Sequence, residues 1–148
     1  MRSSDLIEYL PHRPPMVWVD KVVDVGDDYK MFTGTISVEI DKKALYVCNG
    51  KELRASAAIE FTAQAFGYLK AAYQVKHNFS APPTVTYLAG VRSCKSDFSG
   101  LDLDQVTELH VSIQVKRELL PVTYIEGVVR ESGKEEILAI VEIQVYVD

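Results

Sequence analysis

The chain has 148 residues, 47% hydrophobic and 25% charged, with a net charge of −5. That length suits one domain with a substantial core, and the composition excludes disorder beyond the first few residues. The negative balance argues against a nucleic-acid partner, because phosphate binding needs a basic surface.

The segment Ser4–Leu10 (SDLIEYL) predicts a short helix, capped by Ser3 or Ser4 and stopped by Pro11. Leu10–Pro15 (LPHRPP) follows as a stiff extended connector, since proline pushes its predecessor out of the helical region. Met16–Val25 (MVWVDKVVDV) is β-branched and aromatic, hence a strand. Val25–Asp28 has turn chemistry, and a second strand runs from Tyr29 to about Ile40, making a hairpin with the first.

Asp41–Arg54 shows no clear period. Ala55–Tyr73 (ASAAIEFTAQAFGYLKAAY) then predicts one long helix that is apolar nearly all round. Such a helix is buried in a domain or spans a membrane, and Glu60, Gln64 and Lys70 break its apolar runs far short of a span. Glu60 and Gln64, four residues apart, share a face. Lys76–Pro83 reads as a loop, and four strands follow at Thr84–Lys95, Val106–Arg117, Val122–Arg130 and Ile137–Val147. The second alternates cleanly, Leu109, Val111, Ile113 and Val115 on one face against Glu108, His110, Ser112 and Gln114 on the other.

Cys48 and Cys94 are far apart, in no metal-ligand spacing, and read as reduced thiols of a cytoplasmic protein. The opening MRSSDLIEYL has no apolar stretch of signal-peptide length, so neither secretion nor a membrane anchor is expected. The order strand–strand–long helix–four strands, with hairpin-length connections, predicts a single α+β domain over residues 1–148. A curved antiparallel sheet wrapped around one central helix, the hotdog fold, would cover that helix.

Three stretches resemble a known family. Leu10–Val22 (LPHRPPMVWVDKV) is similar to the opening of the FabZ-type (FabZ/FabA-like) 3-hydroxyacyl-acyl-carrier-protein dehydratases, Ala58–Ala65 (AIEFTAQA) resembles their catalytic helix motif, and Tyr87–Val91 (YLAGV) resembles the strand after it. One feature of that family is missing. Its Gly-His-Phe-Pro-Gly segment, which carries a catalytic His, has no counterpart here: an ungapped count from Glu60 puts Tyr46 at the His position, within LYVCNGK (45–51). The closest resemblance is to the ApeP-like dehydratases of aryl-polyene biosynthesis. These also open with Leu-Pro-His, also lack that segment, and carry an Ile-Glu-Tyr-Met-Ala-Gln helix close to Ile59–Gln64.

The resemblance implies loss of water from a 3-hydroxyacyl thioester, carried on acyl-carrier protein, with no cofactor or metal. It also implies a homodimer or higher oligomer in which two sheets join and each site takes its His and Glu from different chains. The reaction needs a base at Cα, an acid for the leaving hydroxyl and a donor for the enolate oxygen. Glu60 suits the acid, because an apolar setting favours its protonated form; an exposed or ion-paired Glu is the plain alternative. His12 is the one histidine placed to be the base, although its motif could serve only to fix the first strand. Backbone N–H groups near Ala55, Ser56 and Ala57, at the helix start, are candidate enolate donors. Gln64 would orient Glu60 or touch the leaving water, and Tyr87 would border the acyl tunnel; each could equally be an ordinary helix or core residue. Arg92 and Lys95 could meet the carrier or be solvated. Two other functions stay open: a hotdog thioesterase using Glu60 to activate water, and a non-catalytic acyl-carrier-binding partner subunit.

Overall fold

Alanine-rich sequence favours the helical state, and six alanines lie within Ala57–Lys76. In a computed structural model, which describes residues 1–10, 14–78 and 86–147, that stretch is a single helix, α1. It starts two residues later than expected and runs three residues further. It ends where Asn78 takes a left-handed conformation (φ 52°), a common helix terminator. Fourteen of its residues are buried, among them Phe61, Phe66, Tyr68 and Leu69. No polar stripe divides them, as the sequence suggests.

The described strands are, in chain order, β1 (Lys21–Val25), β2 (Thr33–Glu39), β3 (Val47–Cys48), β4 (Glu52–Leu53), β5 (Thr86–Ser96), β6 (Glu108–Leu119), β7 (Val122–Glu131) and β8 (Ile137–Val147). Six of them form one antiparallel sheet in the order β1-β2-β6-β7-β8-β5, and α1 touches every one of the six. This is the hotdog arrangement. The short pair β3 and β4 forms within the stretch that shows no period. The alternation in β6 is real: Leu109, Val111, Ile113 and Val115 are all buried against α1. Among the described residues no helix is long and apolar enough to cross a membrane.

Three expected elements come out shorter or different, each because its backbone groups are taken by other partners. The first seven-residue helix is a pair of 3-10 turns, Ser3–Asp5 and Ile7–Tyr9, with the Ser3 amide donating to the Asp20 carbonyl. The first strand begins at Lys21, not Met16, because Gln64 of α1 holds the backbone of Met16 and Trp18. The second begins at Thr33, not Tyr29, because the preceding turn is tied to α1. There Tyr73 Oη donates to the Asp27 carbonyl (3.2 Å) and Lys70 Nζ to the Tyr29 carbonyl (2.7 Å).

Helix and sheet meet closely at Gly127 of β7. A Cβ there would sit 2.2 Å from Thr62 Oγ1 and 2.8 Å from Thr62 Cβ. The Thr62 hydroxyl cannot swing away freely, since it donates to the Ala58 carbonyl at 2.8 Å. Gly127→Ala should therefore destabilise the protein by about 1–3 kcal/mol in urea unfolding. Adding Thr62→Ala, which removes the Oγ1 and Cγ2 contacts, should recover part of the loss.

Lys70 carries a partly buried charge on α1. Its ammonium lies 3.7 Å from the Tyr29 ring centroid and 4.9 Å from that of Phe32, attractive contacts for a cation. Burial nevertheless pushes its pKa down to about 8, against the pull of Glu118 and Asp28. The unfolded chain keeps this proton up to about 10.5, so between the two values the unfolded state binds more protons and stability rises with pH. Lys70→Met should remove that rise. Relative to the parent, its stability in urea titrations should be highest below about pH 8 and should fall away towards about pH 10.5.

Candidate active site

Glu60 stands in the first turn of α1, half-buried, where the sequence leaves one carboxylate on an apolar helix. One turn on, Gln64 is fully buried. A buried primary amide is costly unless its hydrogen bonds are made. Here Nε2 donates to the Met16 carbonyl (2.7 Å) and to Glu60 Oε1 (3.0 Å), while Oε1 accepts from the Trp18 amide (2.8 Å). One side chain thus orients the carboxylate and clamps the Met16–Trp18 segment onto the helix. Nothing in the sequence pairs these residues, since 46 and 48 positions separate the partners.

The clamp is backed by aromatic rings. Trp18, Tyr46 and Phe61 meet edge to face, with centroid separations of 5.3, 6.0 and 5.2 Å. Tyr46 is buried and its hydroxyl is engaged, accepting from the Asp41 amide at 2.9 Å and donating to the Glu39 carbonyl at 3.4 Å. The residue aligned by count with the FabZ-type histidine is therefore a packed aromatic. Asp20, in the same opening motif, accepts from the Glu39 amide through Oδ2 (2.7 Å) and so fixes the end of β2. Burial pushes its carboxyl above the usual range, with that amide bond acting against the rise.

His12 lies outside the described residues. His77 caps α1 with its ring 4.2 Å from that of Tyr73, and His110 on β6 bonds Glu108 at 3.0 Å. Ser56 precedes the first helical residue and makes no side-chain cap bond. Of the amides expected near an enolate oxygen, that of Ala57 is bound to the Arg54 carbonyl at 3.0 Å. Tyr87 is 55% exposed on β5 at the sheet edge. Ala55 borders a cleft of about 490 Å³ with Cys48, Glu52, Arg54, Ser96 and Asp97. The Ser96 hydroxyl donates to the Ala55 carbonyl at 3.0 Å and joins the helix start to β5. Two bonds from Ser99 hold the exposed Asp97 carboxyl below its usual range. Among the described residues no three His, Cys, Asp or Glu side chains converge as a metal site.

Trp18 is the chain's single tryptophan and reports on the clamp. Gln64→Leu leaves the Trp18 amide and Met16 carbonyl without their partner. It should cost about 1–3 kcal/mol and shift the tryptophan emission to longer wavelength as the segment loosens. Unchanged emission and stability would refute the clamp.

The profile of the ApeP-like family, described as ApeP dehydratase, matches residues 4–148. No curated protein sequence matches the chain. Among solved structures, the dehydratase heterocomplex ApeI:P from Xenorhabdus doucetiae superposes with a TM-score of 0.75 at 20% identity, covering 97% of this chain and 90% of the other. A conserved protein of Pseudomonas aeruginosa gives 0.62 at 11% identity, covering 90% of each chain. A mutant thioesterase of Staphylococcus aureus gives 0.58 at 11% identity, over 84% of this chain and 91% of that one. At these identities the structural likenesses establish the hotdog fold alone. The family profile spans nearly the whole chain, Glu60 and Gln64 included, and the chain belongs to the ApeP-like dehydratase family.

Proposed function

We propose that the protein removes water from a 3-hydroxyacyl thioester, carried on acyl-carrier protein, to give the trans-2-enoyl thioester. The observation that carries this reading is the Glu60–Gln64 bond and Gln64's hold on Met16. The same amide that aims the carboxylate tethers the segment that follows His12 by four residues. The family supports a dehydratase; the acyl-carrier substrate is our own extension of it.

In this mechanism the thioester carbonyl acidifies the Cα proton. His12 takes that proton, the Cα–H electrons form the Cα–Cβ double bond, and the C3–O bond breaks. Glu60 gives its proton to the departing hydroxide, which leaves as water. The oxygen that becomes enolate-like in the transition state is met by a backbone N–H at the start of α1, where the helix dipole favours negative charge. Gln64 positions Glu60.

The sheet edge supports an assembly with a second chain. Strand β5 is an edge strand of eleven residues, with Tyr87, Leu88 and Val91 exposed. An edge of that length is a template for pairing with another chain. We take β5 as the joining strand, with a second copy or a different hotdog subunit as its partner; a heterocomplex is what the ApeI:P structure is named for.

Turnover of a 3-hydroxyacyl thioester by the parent, Glu60→Gln and His12→Ala tests the reading, following enoyl product and free thiol together. Each substitution should lower enoyl formation by roughly 10²–10⁴-fold. Thiol release without enoyl product would make Glu60 the water-activating group of a thioesterase. Binding without either product would leave a non-catalytic subunit. Activity untouched in both variants would remove the proposed pair.

A further inference from the structure

The face of the sheet turned away from α1 carries two adjacent rows with opposite chemistry. Strand register sets Leu119 beside Val122, Val122 beside Tyr146, and Tyr146 beside Tyr87. This row crosses β6, β7, β8 and β5 and is apolar; Leu119, Tyr146 and Tyr87 are between 42% and 55% exposed. Leu120, at the β6–β7 hairpin tip, adds to it at 73%. The next row holds Arg117 beside Tyr124 and Tyr124 beside Gln144, with Gly90 opposite Gln144. Thr123, Ile125 and Val145, which alternate with these residues, are buried, so both rows look outward.

Two guanidiniums from different strands converge on Tyr124. Arg117 Cζ lies 5.0 Å and Arg92 Cζ 5.6 Å from its ring centroid. Both arginines are exposed, and neither has a carboxylate partner among the described residues. Two unpaired arginines on one ring are unusual for a chain of net charge −5. Stacking restricts each fork, so less order is lost when it meets an anion. In the following row Glu126 stands beside Glu142, and Lys116 pairs with Glu126 at 3.8 Å, so these carboxylates leave the two arginines free. A small anion finds no enclosure on this open face. A macromolecular surface with a line of carboxylates beside a line of apolar groups fits both rows at once, and arginine and tyrosine are the residues that anchor such contacts.

We propose that this face, Leu119–Val122–Tyr146–Tyr87 with Arg117–Tyr124–Arg92, docks an acidic amphipathic segment of the protein that carries the acyl group. The proposal rests on the dehydratase reading for its partner, and charge complementarity selects that partner. Along β5, Arg92 is four residues from Ser96 at the cleft, about 13 Å of strand.

The test uses the double charge reversal Arg92→Glu/Arg117→Glu and two readouts. The first is fluorescence anisotropy of labelled apo acyl-carrier protein, which bears no acyl group and is indifferent to turnover. The parent should bind it with an affinity that falls with salt, and the reversal should weaken binding roughly tenfold or more and flatten the salt dependence. The second is kinetics with two substrates. KM for the carrier-borne 3-hydroxyacyl thioester should rise roughly tenfold or more. Turnover of the N-acetylcysteamine thioester, which has no carrier, should stay unchanged and doubles as a check on folding. Failure of the parent on the small thioester would sink the dehydratase reading, while the anisotropy still decides the docking. Carrier binding that is absent in the parent, or equal in parent and variant, overturns the proposal. So does binding of the parent to phosphatidylglycerol vesicles in place of the carrier.

Discussion

The molecule depends on how it satisfies one buried amide. Gln64 sits within an apolar helix and must find partners for both ends of its side chain. It finds them in the backbone of Met16 and Trp18 and in the Glu60 carboxylate. Removing Gln64 would leave the Trp18 amide and the Met16 carbonyl without this partner, which costs more than an ordinary hydrogen bond contributes. The same constraint delays the first strand, holds the Met16–Trp18 segment against α1 and gives Glu60 a defined orientation. Packing of Trp18 against Tyr46 and Phe61 seals the arrangement from behind.

The same packing accounts for the place where the FabZ-type enzymes carry their histidine. At the position reached by counting back from Glu60, Tyr46 buries its ring in the aromatic cluster and commits its hydroxyl to the backbone of Asp41 and Glu39. The position has become part of the core. In the proposed mechanism the base therefore comes from elsewhere. The segment that Gln64 brings to the carboxylate is Met16–Trp18, and His12 stands four residues before it in the chain.

Much of this was legible in the residues. The all-round apolar helix, the core face of β6 and the carboxylate–amide pair on one helix face follow from periodicity alone, because burial is what those patterns record. The element boundaries were less so. Met16–Trp18 has the composition of a strand, yet its backbone is taken by a side chain 46 to 48 positions away, and no local rule anticipates that. The turn before β2 is similar, drawn onto α1 by Lys70 and Tyr73. The outward row that gathers Arg92, Tyr124 and Arg117 depends on strand order, since β8 lies between β5 and β7.

The most direct measurement of the central claim is a double-mutant cycle on kcat/KM for the 3-hydroxyacyl thioester, using Glu60→Gln, Gln64→Leu and the pair. If Gln64 acts by orienting Glu60, its substitution lowers kcat/KM in the parent and costs clearly less once Glu60 is already Gln, the remainder being its hold on the segment that follows His12. Additive losses would mean that the two side chains act independently, and the account of Gln64 as the residue that aims the carboxylate would be wrong.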